Sequence, residues 1–229
     1  HTQTGGATLT AQQPENNIVR TALEALAAVL GGTQSLHTNS FDEALSLPSE
    51  KAAKIALRTQ QVIAHESGVA DSADPLGGSY FLETLTGEIE ERATTYLEKI
   101  EGMGGAVAAI ESGWIQGEIH EAAFRIQQGV ESGERVVVGV NRFVEENEEP
   151  VEIQKLDEEQ VRRQSERLRE LRVSRDSAAV ERALKEVEET ARGPENLLPP
   201  MREALRARAT LGEVSDALRR VFGEHHPTV

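Results

Sequence analysis

The sequence contains no cysteine, and only 3% of its 229 residues are aromatic. Without cysteine the chain can form neither disulfides nor thiolate metal sites. Few aromatics mean that Ala, Leu, Ile and Val must build the core. The sequence also lacks an apolar run of the roughly 18–20 residues that a membrane span needs, and it lacks the layout of a signal peptide. We therefore expect an intracellular, cytoplasmic protein that does not enter membranes.

Positive charge is also scarce, since 24 Lys and Arg residues face 39 Asp and Glu residues and the net charge is −15. Such a charge disfavours broad contact with phosphate backbones or anionic lipids. The sequence therefore predicts no nucleic-acid partner and no membrane partner. Histidines do not occur at the spacing of a metalloprotease helix, because His65-Glu66 has no second histidine four residues further on. We expect no metal site within the chain.

The apolar residues follow alternating helical and extended patterns in the first part of the chain. Spacings of three and four predict helices over residues 14–32 and 49–68, and the segment 33–39 between them favours a strand. This order is typical of βα units with a parallel sheet. Further strands are predicted at 80–82 and 136–140, and further helices at 89–102, 106–110 and 115–133.

An acidic segment ending at Pro150 divides this part from a helical remainder. The sequence predicts a partial barrel domain over 1–143, an acidic linker over 144–150 and a helical extension over 151–229. Within the extension we expect helices at 157–173 and 177–192, a break at Pro199-Pro200 and a last helix. Thr210 and Glu213 have the spacing of a capping box at the start of that last helix.

Two polar segments, residues 1–7 and 33–43, lie where a strand is predicted to end and a helix to begin. In parallel α/β folds, ligands are bound by loops at the carboxyl ends of the strands. Amide, hydroxyl and carboxylate groups in such loops can hold a polar ligand. A structural interpretation remains open, in which Asn39 and Ser40 cap a helix, Gln34 and His37 satisfy buried backbone groups, and Glu43 lies in a first helical turn.

Longer motifs in the chain carry a family resemblance. Residues 16–47 read NNIVRTALEALAAVLGGTQSLHTNSFDEALSL, and residues 54–80 contain KIALRTQQ, ESG and DPLGGSY. Further motifs are VGVN at 138–141, SRD at 174–176 and TLGEVSDAL at 210–218. Together they span the chain, and it resembles the large catalytic subunit of methylmalonyl-CoA mutase, in the adenosylcobalamin-dependent acyl-CoA mutase family.

The resemblance implies a fold and an activity. The fold would be α/β, the C-terminal part of a (β/α)8 TIM barrel followed by a mostly helical extension. The activity would be an isomerase reaction, the radical rearrangement that interconverts (R)-methylmalonyl-CoA and succinyl-CoA, with adenosylcobalamin as the cofactor. The start of the chain resembles a truncation and its end resembles a natural C-terminus, so we expect an inactive fragment of a larger catalytic subunit.

The resemblance also implies which residues face the cofactor: Gln3, Gly6, Gln34, Asn39, Glu43 and Ser46. The main acid and the acyl pocket of the family fall outside this chain. The Asp-x-His-x-x-Gly motif that supplies the cobalt ligand in the family is absent. We therefore expect the ligand to come from a small cobalamin-binding subunit, in a hetero-oligomer that binds an acyl-CoA substrate.

The sequence leaves two alternative functions open. The chain could be a noncatalytic assembly or binding module related to the large subunit, since half a barrel leaves open sheet edges that need a partner. It could also belong to a mutase for another acyl-CoA, such as isobutyryl-CoA, ethylmalonyl-CoA or 2-hydroxyisobutyryl-CoA.

Overall fold

The structure of the protein, a computed structural model, describes residues 1–147, 151, 153–224 and 226. The chain divides into two compact units, His1–Gln154 and Lys155–Val229. The predicted linker at 144–150 and the predicted natural end at 221–229 lie partly outside the described residues. None of the described helices is long and apolar enough to cross a membrane.

The first unit begins with a short parallel sheet and two helices. Strands β1 (Thr2–Gln3) and β2 (Leu36–His37) pair in parallel, with Thr2 opposite Leu36 and Gln3 opposite His37. Helix α1 (Asn16–Leu30) lies between the strands in sequence, and α2 (Glu50–Glu66) follows the second strand. The predicted order of helix, strand and helix over 14–68 is confirmed, and the described residues form an α/β arrangement with a two-stranded sheet.

The ends of these helices follow from their sequence. Helix α1 ends at Leu30, because Gly32 has a φ of +80° and turns the chain so that the amide of Thr33 donates to the carbonyl of Ala28 at 3.1 Å. Helix α2 starts after Ser49, whose side chain accepts a hydrogen bond from the amide of Ala52 at 3.3 Å. The two helices pack on each other and bury small side chains, Ala25 of α1 and Ala52 of α2 among them.

The described residues in the rest of the first unit form a short 3-10 helix (Val69–Asp71) and three α-helices: α3 (Tyr80–Gly102), α4 (Ala106–Glu111) and α5 (Trp114–Ser132). The rings of Tyr96 and Trp114 lie 5.9 Å apart, and the Lys99 ammonium lies 4.4 Å from the centre of the Trp114 ring. The predicted helices at 89–102, 106–110 and 115–133 are confirmed.

The strand predicted at 80–82 is wrong, because these residues form the first turn of α3. Glu83 lies in that turn, and its carboxylate accepts a hydrogen bond from the amide of Gly78 at 3.0 Å. A carboxylate at a helix N-terminus stabilises the helix, and the apolar residues from Leu82 onward continue its periodic stripe. The β preference of two adjacent aromatic residues is too weak to compete with these effects.

The strand predicted at 136–140 is also wrong. Val138 forms only an isolated bridge with Arg142, and Gly139 has a φ of +83° that turns the chain. Asn141 stabilises this turn, since its Oδ1 accepts from the amide of Val137 at 2.7 Å and its Nδ2 donates to a carbonyl of α5. Side-chain bonds therefore replace the sheet ladder that a run of β-branched residues favours.

The second unit is helical, with α6 (Glu158–Ser174), α7 (Ser177–Ala191), α8 (Leu198–Arg206) and α9 (Leu211–Phe222). Its core consists of small and β-branched residues: Val180, Val187, Ala204, Ala209, Val214 and Ala217. The prolines predicted to break the helices lie in the first turn of α8, where a missing amide hydrogen costs little. The capping box is confirmed, because Thr210 and Glu213 each bond the other's backbone amide.

Candidate functional site

The carboxyl ends of β1 and β2 bring two polar loops side by side. The ladder continues one residue past the strands, where the amide of Thr4 donates to the carbonyl of His37 at 3.1 Å. The loop after β1 then turns through a short 3-10 helix at Gly6–Thr8, and the loop after β2 runs to Ser49. Parallel pairing in this register therefore places Thr4 next to the residues that follow His37.

Thr4 and Asn39 lock the two loops together. The Thr4 hydroxyl donates to Asn39 Oδ1 at 2.9 Å and accepts from the backbone N–H of Asn39 at 2.9 Å. Gln3 Nε2 donates to the same Oδ1 at 3.3 Å. Thr4 is 5% exposed and Asn39 is 2% exposed. Because both side chains are buried and hydrogen-bonded, the Asn39 amide is held in one place.

Gly6 leaves the space that two functional groups occupy. A Cβ atom at position 6 would lie 2.8 Å from Glu43 Oε1 and 2.9 Å from Asn39 Nδ2. Asn39 Nδ2 is buried and has no hydrogen-bond partner among the described residues. The Glu43 side chain is exposed, at the opening of the same site. The site therefore combines a buried donor in need of an acceptor with a carboxylate that can accept.

A cavity of about 600 Å³ lies beside Glu43 and is lined by Gln3 of β1, by the loop after β2 and by α2. Gln3, Glu43 and Ser46 line its polar side, and Ala53 and Leu57 line its apolar side. A volume of this size is in the range of small-molecule sites, which typically combine apolar walls with a few polar groups.

The floor of the cavity is fixed by bonds between α2 and β2. Gln60 Nε2 donates to the carbonyl of Leu36 at 3.1 Å and to the hydroxyl of Thr38 at 3.0 Å. Asp42 is fully buried, and its Oδ2 accepts from the amide of Ser49 at 2.8 Å. These bonds hold the loop after β2 against the start of α2.

Five of the six residues expected to face the cofactor lie at this edge: Gln3, Gly6, Asn39, Glu43 and Ser46. Ser46 turns its hydroxyl to the carbonyl of Leu47 at 2.8 Å. Gln34 does not join them, because it precedes β2 and is exposed at the opposite end of the strand. There the amide of Thr2 donates to the carbonyl of Ser35 at 3.0 Å.

The structural interpretation of the second polar segment is wrong in two respects. Asn39 and Ser40 do not cap a helix, since α2 begins ten residues after Ser40, at Glu50, with Ser49 as its cap. Glu43 lies in a turn and not in a first helical turn. Sequence reasoning missed Thr4 and Gln60 as residues that shape the site. Thr4 lies in the polar segment 1–7 and Gln60 in the motif KIALRTQQ, but only the folded contacts show their roles.

No metal-binding group of three or more His, Asp or Glu side chains occurs in the part of the chain that the structure describes. The polar groups of the site are amides, hydroxyls, the His37 ring and the Glu43 carboxylate. It can therefore hold a polar organic ligand that both donates and accepts hydrogen bonds.

Comparison with known proteins finds similarity to one enzyme family along nearly the whole chain. The family model for methylmalonyl-CoA mutase matches residues 1–224. The chain is 49% identical over 227 residues to a methylmalonyl-CoA mutase of Rhizobium meliloti (strain 1021), covering 98% of this chain and 32% of that relative. It is 51% identical over 227 residues to the mitochondrial methylmalonyl-CoA mutase of Homo sapiens, covering 98% of this chain and 30% of that protein.

A third relative has a different name. The chain is 46% identical over 230 residues to the 2-hydroxyisobutanoyl-CoA mutase large subunit of Aquincola tertiaricarbonis, covering 100% of this chain and 41% of that subunit. The chain thus spans between 30% and 41% of the length of these three relatives.

Proposed function

The chain belongs to the methylmalonyl-CoA mutase family, and we propose that it is part of an adenosylcobalamin-dependent acyl-CoA mutase. The proposed reaction is the isomerisation between (R)-methylmalonyl-CoA and succinyl-CoA. In this proposal residues 1–143 are the C-terminal part of a (β/α)8 barrel, 144–150 are a linker and 151–229 are a helical extension. Because the chain spans less than half of its relatives, the activity belongs to a larger assembly.

One observation carries the assignment of the cofactor face. Glu43 and the unpartnered Nδ2 of Asn39 both lie in the space that a side chain at position 6 would take. An adenosyl group offers hydroxyl donors on its ribose and acceptors on its ribose and base, so it can satisfy both. A side chain at position 6 would displace the two groups. The residues present therefore fit an adenosyl group.

The side chains of the site would then have distinct tasks. Glu43 accepts hydrogen bonds from ribose hydroxyls, and Asn39 Nδ2 donates to the ligand. Gln3 can donate and accept without adding charge, and the apolar wall of α2 can contact apolar parts of the ligand. Bound adenosylcobalamin supplies the radical chemistry. The protein groups named here bind and orient it.

The proposed partners are an acyl-CoA substrate and a small cobalamin-binding subunit that supplies the cobalt ligand, in a hetero-oligomer. The name of the Aquincola relative, a large subunit, supports a two-chain arrangement. It also supports 2-hydroxyisobutyryl-CoA as an alternative substrate. A cytoplasmic location and a cofactor role for Gln34 remain predictions from the sequence.

The binding proposal is tested by titrating the full chain with 5′-deoxyadenosine in a calorimeter. We expect saturable binding, and Glu43→Gln should weaken it about tenfold, which is about 1.4 kcal/mol for a charge-assisted hydrogen bond. Glu66→Gln is the matched control, since Glu66 is an exposed carboxylate at the end of α2. Equal affinity of the Glu43 and Glu66 variants would contradict the assignment of Glu43.

The catalytic proposal is tested in a chimera. The corresponding third of the Rhizobium mutase is replaced by this chain, and turnover of methylmalonyl-CoA, isobutyryl-CoA and 2-hydroxyisobutyryl-CoA is measured with adenosylcobalamin. We expect turnover in the chimera and none by the isolated chain. A folded chimera without turnover of any acyl-CoA would favour the noncatalytic module instead.

A further inference from the structure

Asn39 presents a nitrogen and not an oxygen to the space beside Gly6, although the two ends of an amide have nearly the same shape. A flip of the side chain would exchange them without changing the packing. Which end faces the site therefore depends on the hydrogen bonds made by the other end.

Those bonds are made by Thr4 and Gln3. The Thr4 hydroxyl accepts from the backbone N–H of Asn39 at 2.9 Å, and its single proton goes to Asn39 Oδ1 at 2.9 Å. Gln3 also presents its Nε2 to Oδ1, at 3.3 Å, but the exposed Gln3 side chain can turn and present its oxygen instead. With Nδ2 in the place of Oδ1, the Thr4 proton would lose its acceptor. The Thr4 hydroxyl therefore selects the oxygen end.

We propose that Thr4 is a positioning residue that holds the Asn39 amide with Nδ2 toward Gly6 and Glu43. The identity of the ligand in this proposal rests on the proposed function, whereas the orientation of the Asn39 side chain does not. The orientation matters because Glu43 can only accept. With Oδ1 turned inward, two acceptors would face each other across the site, and an adenosyl ligand would lose its donor.

Thr21 provides a control, because it is a second buried threonine, 2% exposed and located in α1. Its hydroxyl has no hydrogen-bond partner among the described residues. Thr4→Val and Thr21→Val remove the same hydroxyl group from a buried position. Only the first is expected to affect Asn39. Thr4→Ser keeps the hydroxyl and should restore the wild-type behaviour.

The first experiment uses nuclear Overhauser effects in the full chain without ligand. In the wild type we expect the side-chain NH2 protons of Asn39 to contact the Gly6 α-protons. Thr4→Val should lose these contacts, whereas Thr4→Ser and Thr21→Val should keep them. Contacts to Gly6 that persist in Thr4→Val would overturn the proposal. So would an NH2 group directed at Thr4 in the wild type, a result that needs no variant to fold.

The second experiment measures 5′-deoxyadenosine binding by the same proteins. We expect about a fivefold to tenfold loss of affinity in Thr4→Val and a change within about twofold in Thr4→Ser and Thr21→Val. If the wild type does not bind the probe, the proposed function fails, and the nuclear Overhauser effects still decide the positioning role. If Thr4→Val loses the Gly6 contacts but binds normally, a role for Thr4 in ligand binding is excluded.

Discussion

Arg175 donates one hydrogen bond to each carboxylate oxygen of Glu213, at 2.7 Å and 2.5 Å. It also donates to the carbonyl of Arg208 at 3.0 Å. Arg175 precedes α7, Arg208 follows α8 and Glu213 lies in the first turn of α9. The Arg175 side chain is 9% exposed and that of Glu213 is 23% exposed. One partly buried ion pair therefore joins three helix ends in the second unit.

The Arg175 hydrogen bonds lower the pKa of Glu213 from 4.5 to about 2, against the opposing effect of burial. A carboxyl group whose pKa is lower in the folded state stabilises the fold above its unfolded pKa. This stabilisation is lost as the pH falls from 4.5 to about 2. We expect Glu213→Gln to reduce the free energy of unfolding by about 2 kcal/mol at neutral pH.

The measurement is urea unfolding followed by far-UV circular dichroism over a series of pH values. The difference between wild type and Glu213→Gln should shrink through the acid window and vanish below it. Glu203→Gln is the control, since Glu203 pairs with Arg202 and Arg206 at the surface, where all three side chains are more than half exposed. A difference for Glu213→Gln that is independent of pH would contradict the assigned pKa.

Arg208 occupies a position that favours glycine. It follows the last turn of α8 with a φ of +71°, and the amides of Arg208 and Ala209 bond back to carbonyls of that helix. A left-handed conformation is strained for a side chain with a Cβ. We expect Arg208→Gly to stabilise the second unit by about 0.5–1 kcal/mol in urea unfolding.

Arg192 lies at the C-terminal end of α7, and there we expect glycine to have the opposite effect on stability. It ends α7 with a φ of −83°, so glycine relieves no strain there. Arg192→Gly should lower the stability, because glycine adds conformational freedom to the unfolded chain. If both variants destabilise equally, the strain assigned to Arg208 is absent.

Much of the fold could be predicted from local sequence patterns. Helix ends at Gly32, Ser49 and Thr210 follow from capping chemistry, which acts over a few residues. The two segments wrongly predicted as strands take their conformation from interactions that composition does not show. Side-chain bonds of Asn141 fold one segment into a turn, and the Glu83 carboxylate starts a helix in the other.

The residues of the candidate site could likewise be predicted only in part, because some of their contacts join distant parts of the sequence. Motif resemblance located Gly6, Asn39 and Glu43, which the structure brings together. It also selected Gln34, which the direction of β2 places at the other end of the strand. Thr4 was missed because its importance lies in a reciprocal bond to a residue 35 positions away. Strand register creates that contact, and a linear motif does not reveal register.

The close contacts around Gly6 lead us to expect that one added methyl group weakens ligand binding. The Cβ of Gly6→Ala would lie 2.8 Å from Glu43 Oε1 and 2.9 Å from Asn39 Nδ2, so both side chains must move. At Gly5 the added Cβ would have an ordinary contact of 3.6 Å with Thr8. We expect Gly6→Ala to weaken 5′-deoxyadenosine binding at least about tenfold and Gly5→Ala to leave it within about threefold of wild type. Equal binding by the two variants would show that Glu43 and Asn39 can move away without loss.

Helix α3 differs from α7 in how far burial protects its backbone amides from hydrogen exchange. No residue of α3 is buried within the described structure, whereas α7 buries Val180, Val187 and Ala191. Amide exchange follows the free energy of local opening, which rises with apolar burial. We expect amides of α3 to exchange at least about 100-fold faster than those of α7, as measured by hydrogen–deuterium exchange and mass spectrometry.

The exchange of α3 also reports whether its apolar residues are covered in solution. Leu85, Ile89 and Leu97 are 39–60% exposed, although they lie at helical spacing along one stripe. Exchange as slow as in α7 would contradict the expected opening and would mean that this stripe is covered. Repeating the measurement over a range of protein concentrations separates the causes. Protection that rises with concentration comes from association of chains, and protection that does not must come from within one chain.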